Sequence, residues 1–177
     1  MDISRRFLLL NTLMVAGCNA SIESDNSSIK SNAIEGENTG SSFQLYPVGR
    51  VKRKGKAVSL HIFKKYTDAL KGLDGFSHVF VLYWFDRNDT REKRNILQVH
   101  PRGNKKNPLT GVFACRAPVR PNLIALSLCK IISVKNNIVY IENIDALNNS
   151  PILDLKPYIP HIDHITKDIY VPDWLKE

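Results

Sequence analysis

Arg116 and Arg120 are the side chains of this sequence best suited to holding an anionic ligand. They lie in the stretch Gly111-Val112-Phe113-Ala114-Cys115-Arg116-Ala117-Pro118-Val119-Arg120-Pro121-Asn122. Prolines fix φ and lack an N–H, so this stretch is a stiff loop and not a strand interior. A guanidinium held in one direction donates two parallel hydrogen bonds to a carboxylate or phosphate. The plainer alternative is that both arginines pair with internal carboxylates. A second chemistry-bearing stretch runs from Asp145 to Pro160, where a turn leads through Asp154 and Lys156 to Tyr158. A carboxylate, a cation and an aromatic face are expected to gather there at one end of a barrel. A third begins at Phe76-Ser77-His78 and ends at Asp86-Arg87-Asn88-Asp89, charged residues placed where an apolar strand stops. They belong to a rim where ligands enter, or to an ordinary solvated turn. Two basic segments, Lys52 to Lys56 and Arg102 to Lys106, are suited to phosphates if they are not simply solvated hairpins.

The elements that position these residues are short strands. Ala57 to Phe63 alternates, with Val58, Leu60 and Ile62 on one face. Tyr66, Ala69, Leu70 and Leu73 recur at helical spacing, and Gly72 and Gly75 end that helix. Val79-Phe80-Val81-Leu82-Tyr83-Trp84-Phe85 reads as a strand buried on both faces. Ile96–His100, Leu123–Val134 and Ile138–Ile141 are further strands, the last two joined by a turn at Asn136-Asn137, and Ile152–Leu155 is another. Asp86 to Asn95 reads as a loop. This pattern predicts a mainly β fold, a small β-barrel with short helices. No GxGxxG, Walker motif or CxxC spacing occurs, which argues against a Rossmann fold and against a metal site.

The first 42 residues have a different character. Arg5 and Arg6 precede the apolar stretch Phe7–Ala16, and Val15-Ala16-Gly17-Cys18 has the layout of a lipoprotein box. Residues 1–18 therefore read as a leader, with Cys18 as a lipidated membrane anchor. Residues 19–42 are rich in Ser, Asn, Glu and Gly, and read as a disordered tether. The folded domain is then 43–177. Residues 1–17 hold only Arg5, Arg6 and Asp2, so nearly all of the net charge of +8 belongs to the remainder. A basic domain favours an anionic partner such as RNA. Cys115 and Cys129 pair in an oxidising compartment or remain small buried thiols.

Taken in order, several segments resemble the TrmO (TsaA-like) family of S-adenosylmethionine-dependent tRNA methyltransferases. They are Tyr46-Pro47-Val48-Gly49-Arg50-Val51, Leu70 to His78, Gly111 to Arg116, Arg120-Pro121-Asn122, and Pro151-Ile152-Leu153-Asp154-Leu155-Lys156-Pro157-Tyr158. The resemblance implies a small β-barrel, often a homodimer. It also implies methylation of N6 of the threonylcarbamoyl-adenosine next to the tRNA anticodon. Such chemistry needs no protein nucleophile, because the cofactor supplies the electrophile. The resemblance assigns cofactor contacts to Asp86, Arg87, Arg116, Leu126, Asn148, Asn149, Ser150 and Pro151. It assigns the substrate side to Arg120, Asn122, Asp154, Lys156 and Tyr158. The sequence departs from the family pattern at Asp86, usually His; at Cys115, usually Thr; at Leu123, usually Pro; and at Asn148-Asn149, usually Asp-Gly. The longer members' Pro-Arg-Gln loop after the first strand is missing.

Leader and domain point to different compartments. As a tRNA-modifying enzyme the chain is cytoplasmic. If the leader functions it is a membrane-anchored lipoprotein, using the barrel as a non-catalytic ligand- or RNA-binding module.

Overall fold

Alternation of apolar and charged residues starts at Gly49, and it builds a closed sheet. The computed structural model describes residues 42–176. The leader and, Ser42 apart, the tether lie outside the described residues. Strand β1 (Gly49–Lys54) turns Val51 inward and Arg50, Lys52 and Lys54 outward. A two-residue turn led by Gly55 at φ +60°, a conformation open to glycine, returns the chain into β2 (Ala57–Ile62). A 3-10 helix over Lys64–Leu70, in place of the α-helix its spacing suggests, ends at Gly72 with φ +84°. Strand β3 (His78–Trp84) follows. The short pair β4 (Gln98–Val99) and β5 (Thr110–Gly111) stands apart from the barrel. Then come β6 (Ile124–Lys135), β7 (Ile138–Ile141) and β8 (Pro151–Pro157). The β6–β7 turn falls at Asn136-Asn137, and Asn136 takes φ +54°, which asparagine tolerates better than most residues.

The barrel order is β1-β2-β7-β6-β3-β8, closed from β8 back to β1, with every pairing antiparallel. Its interior is filled by Val51, Leu60, Val79, Val81, Val139 and Ile152, all wholly buried. Cys129 faces the same core, and burial pushes its thiol up to about 11. It is a free thiol, as is Cys115.

Three expectations need correction. β3 is buried on one face only: Val79, Val81 and Tyr83 point inward, while Phe80, Leu82 and Trp84 are half-buried outside. Tyr158 covers Phe80 there (rings 6.0 Å apart), and Arg94 lies 5.2 Å from the Trp84 ring. The segment 86–95 is not all loop. It carries a 3-10 turn and a short helix α1 (Arg91–Arg94), capped by Thr90, whose Oγ1 accepts from Lys93 N. Finally, Lys52-Arg53-Lys54 is strand, not loop. Arg53 Nε donates to Ala146 O at 2.8 Å and its Nη2 to Ile144 O, so this cation is a structural clamp.

The β1–β2 pairing leaves Gly49 no room for a side chain. A Cβ there would lie 2.4 Å from His61 O, a backbone atom that cannot turn aside. Gly49→Ala should therefore cost about 2–3 kcal/mol of stability and lower Tm by roughly 5–10 °C, measured by calorimetry of the purified protein.

Candidate functional site

The arginine loop begins where β5 ends. Val112 is buried and its N–H donates to Leu97 O at 2.9 Å, which fixes the start of a 3-10 turn over Val112–Ala114. The next residue, Phe113, is therefore thrust outward and is 80% exposed. Arg120 folds back on its own loop, its Nη1 at 3.5 Å from both Cys115 O and Ala117 O. Arg116 is exposed, and its guanidinium has no hydrogen-bond or ion-pair partner among the described residues. Neither arginine pairs with a carboxylate among the described residues; Arg120 is held by carbonyls of its own loop and Arg116 is not.

The loop's far end is held by Arg94. Its Nη1 donates to Pro121 O at 2.6 Å and its Nε to Asp89 Oδ1 at 2.7 Å. Trp84 Nε1 donates to the other Asp89 oxygen at 3.3 Å. The Arg94 hydrogen bond, with smaller help from the Arg94 charge and from Trp84, keeps the Asp89 carboxyl below its ordinary value. Beyond Pro121 the backbone enters β6 through Leu123, wholly buried at φ +52°. Proline could not adopt that φ.

Two clefts flank the loop. One, about 640 Å³, is walled by Tyr83, Phe85, Phe113, Arg116, Leu126 and Asp145. The Tyr83 and Phe85 rings meet edge to face at 5.7 Å. Burial, more than the nearby Asp145 charge, raises the Tyr83 pKa above its ordinary value, so the phenol is neutral. The second cleft, about 1080 Å³, lies against the 99–103 loop and the C-terminal turn. The two share Phe113, Cys115, Arg116 and Asp145. Asp145 is exposed between buried Ile144 and Ala146, whose carbonyls Arg53 clamps. Its carboxylate makes no hydrogen bond or ion pair among the described residues. A cation and an anion, each without a partner, thus stand on the wall between two clefts.

Comparison with known proteins adds to this geometry. The family model for the tRNA-methyltransferase O N-terminal domain matches residues 43–164. The chain belongs to the TrmO family. It is 43% identical over 121 residues to the probable S-adenosyl-L-methionine-binding protein of Methanocaldococcus jannaschii, covering 68% of this chain and 96% of that one. It is 41% identical over 102 residues to the rat tRNA (adenine(37)-N6)-methyltransferase, covering 58% of this chain but 23% of the rat protein. The crystal structure of TrmO from Pseudomonas aeruginosa shares the fold, with a TM-score of 0.57 at 24% identity, over 73% of this chain and 62% of that one.

The residues that the TrmO resemblance nominates are not gathered in one place. Arg116, Arg120 and Leu126 line the smaller cleft. The Asn148–Pro151 turn lies along β1 and lines neither cleft. Asn148 Oδ1 accepts from Arg53 N at 3.0 Å, Asn149 Oδ1 from Lys52 Nζ at 2.7 Å, and buried Ser150 accepts from Val51 N at 3.0 Å. Asp86 and Arg87 are exposed on the 3-10 turn after β3, outside the lining of both clefts, and Asn122 is exposed at the turn before β6. On the substrate side, Asp154 and Lys156 pair at 2.9 Å and Tyr158 packs on Phe80 and His78. Asp154 lies opposite Leu82, Lys156 opposite Phe80, and Tyr158 N donates to His78 O, so the three run along β3 toward its His78 end. Tyr83, Phe85 and Asp145 wall the cleft without having been assigned; all three lie in stretches whose composition drew attention.

Since the folded pKa of Asp89 is depressed, its contribution to stability is present above the unfolded value of 3.8 and is lost as pH falls below it. Both partners are substantially exposed, so the contribution stays within about 1 kcal/mol. Urea unfolding should show Asp89→Asn less stable than the parent at pH 7, with the gap narrowing as pH falls below 3.8.

Proposed function

We propose that this chain is a methyltransferase that uses S-adenosylmethionine to methylate tRNA at an adenine N6. We further propose that the acceptor is the N6 of threonylcarbamoyl-adenosine beside the anticodon. The observation that carries the reading is the pair of clefts joined at Phe113, Arg116 and Asp145. A group transfer needs donor and acceptor held together with their reacting atoms in near-attack geometry, and adjoining pockets with one common wall supply that.

The smaller cleft has the residues to hold the cofactor. Phe113 and half-buried Phe85 offer faces for a sulfonium cation or a purine, with Tyr83 buried against Phe85. Arg116, with no internal partner, suits the amino-acid carboxylate. Asp145 suits a ribose hydroxyl or the cationic centre. When bound, the cofactor supplies an electrophilic methyl group, so the protein's work is to orient, to exclude water and to balance charge. The neutral Tyr83 phenol adds no charge that would compete with Asp145 for the cation.

The tRNA approaches a basic surface. Arg50, Lys52 and Lys54 point outward from β1, and Lys105 and Lys106 lie beyond the second cleft. Such contacts make affinity fall steeply with salt. The chain is further proposed to be a homodimer. Leu126 (44% exposed) and Leu128 (48%) lie on the outer face of β6, paired with Leu82 and Phe80 of β3, and both also line the smaller cleft, so a second copy seated there would help to close it. This apolar face is of the kind that self-association covers. Anchoring through Cys18 concerns residues outside those described. It remains a separate proposal, checked by metabolic labelling of the full chain with a fatty acid.

Calorimetric titration of the full-length protein with S-adenosylmethionine should show saturable binding, weakened at least about tenfold in Arg116→Ala, as loss of a charge-assisted contact implies. Labelled methyl should transfer to tRNA carrying threonylcarbamoyl-adenosine and not to tRNA lacking it. No binding at millimolar ligand would overturn the enzyme reading and favour an exported binding module. Equal transfer to unmodified tRNA would overturn the acceptor alone.

A further inference from the structure

The larger cleft has a wall that the family match does not include. Residues 165–176 follow the matched segment, and their last turn, Asp173–Leu175, brings Trp174 and Leu175 to the cleft. Its other sides are the 99–103 loop and the arginine loop. Around it stand two large rings, Trp174 and Phe113, with the imidazole of His100, the guanidinium of Arg116 and the carboxylate of Asp145. His100 Nδ1 lies 2.8 Å from Asn107 O and must donate to it, which selects the tautomer whose Nε2 is an acceptor.

We infer that this cleft receives the acceptor nucleobase and that Trp174 is the face on which the base stacks. The inference deepens the methyltransferase reading and rests on it. A flipped or single-stranded purine is recognised by an aromatic face together with acceptors for its amino edge and cations for its phosphates. The larger cleft combines all three with the indole of Trp174 and with the start of the basic 102–106 segment. The smaller cleft also holds rings, Asp145, Arg116 and Arg120, but it lies against β6 and takes no residue from the 102–106 segment or the C-terminal turn. The groove beside Tyr66 and Leu70 is apolar apart from Lys71 and Asp154. The cleft's volume of about 1080 Å³ admits a nucleoside with a substituent on its amino group. Its common wall with the smaller cleft brings that amino group toward the donor. Trp174 is therefore a binding residue contributed by the segment following the family domain.

The chain has two tryptophans, Trp84 and Trp174, so a Trp84→Phe background isolates the emission of Trp174. In the full-length protein, a fluorescein-labelled anticodon stem-loop RNA should bind and quench that emission. Trp174→Ala should weaken RNA binding about tenfold, the loss of one base stack, while Trp174→Phe retains most of it. S-adenosylmethionine affinity should be the same in all three proteins, and thermal melts should show each to be folded. Unchanged RNA affinity in Trp174→Ala, absence of quenching, or absence of RNA binding by the parent would each overturn the inference. A parent that binds RNA with the Trp174 dependence but fails to bind S-adenosylmethionine would uphold the base site and overturn the methyltransferase reading alone.

Discussion

Closure of the sheet between β1 and β8 is the constraint on which the rest depends. It is a short seam: of β1, only Gly49 and Arg50 find register partners, Ile152 and Pro151. The seam is extended by backbone bonds from Val48 to Ile152 and between Val51 and the Asn149–Ser150 turn. Side chains then fasten it, with Arg53 holding the carbonyls of Ile144 and Ala146 and Asn148 accepting from Arg53 N. The 144–150 segment thus serves two ends at once. It seals the barrel, and it holds Asp145 out toward the clefts. The absence of a β-carbon at Gly49 lets the first residue of this seam also pack closely on His61 and Ile62 of β2.

The same arrangement explains how a site with two unpaired charges is tolerated. Arg116 and Asp145 are exposed, so water solvates them and neither carries the penalty of a buried lone ion. Their neighbours are fixed instead: Val112 by its bond to Leu97, Pro121 by Arg94, Ile144 and Ala146 by Arg53. Rigidity is vested in the backbone and in buried flanking residues, and the chemically competent groups are left without internal partners. That is the condition for electrostatic preorganisation.

Much of the barrel was legible in the sequence because its signals are local. Val58, Leu60 and Ile62 alternate within one strand, Gly55 and Asn136 mark tight turns, and the run from Val79 to Tyr83 declares a core strand. What was illegible is non-local. Nothing in Lys52-Arg53-Lys54 says that the middle cation turns inward to bind carbonyls some 90 residues away. The outer face of β3 read as buried because Phe80, Leu82 and Trp84 are apolar, yet their cover is partial and comes from Tyr158 and Arg94. For the site, residue type found Arg116 and Arg120, and the TrmO pattern found Leu126. The Asn148–Pro151 turn was nominated by pattern as a ligand site, whereas here its side chains fasten β1. Asp145 and Trp174 were not assigned, since only the closure of the chain brings their segments beside the arginine loop.

The wall of Phe113, Arg116 and Asp145 separates two clefts without isolating them. An occupant of one that draws the Arg116 guanidinium toward itself changes the charge met by an occupant of the other. Equilibrium then requires reciprocity: whatever factor the first molecule applies to the affinity of the second, the second applies to the first. A partition made of charged side chains that face both clefts consequently makes the two occupancies cooperative or antagonistic, and the order in which they fill a matter of relative concentration and not of a gate.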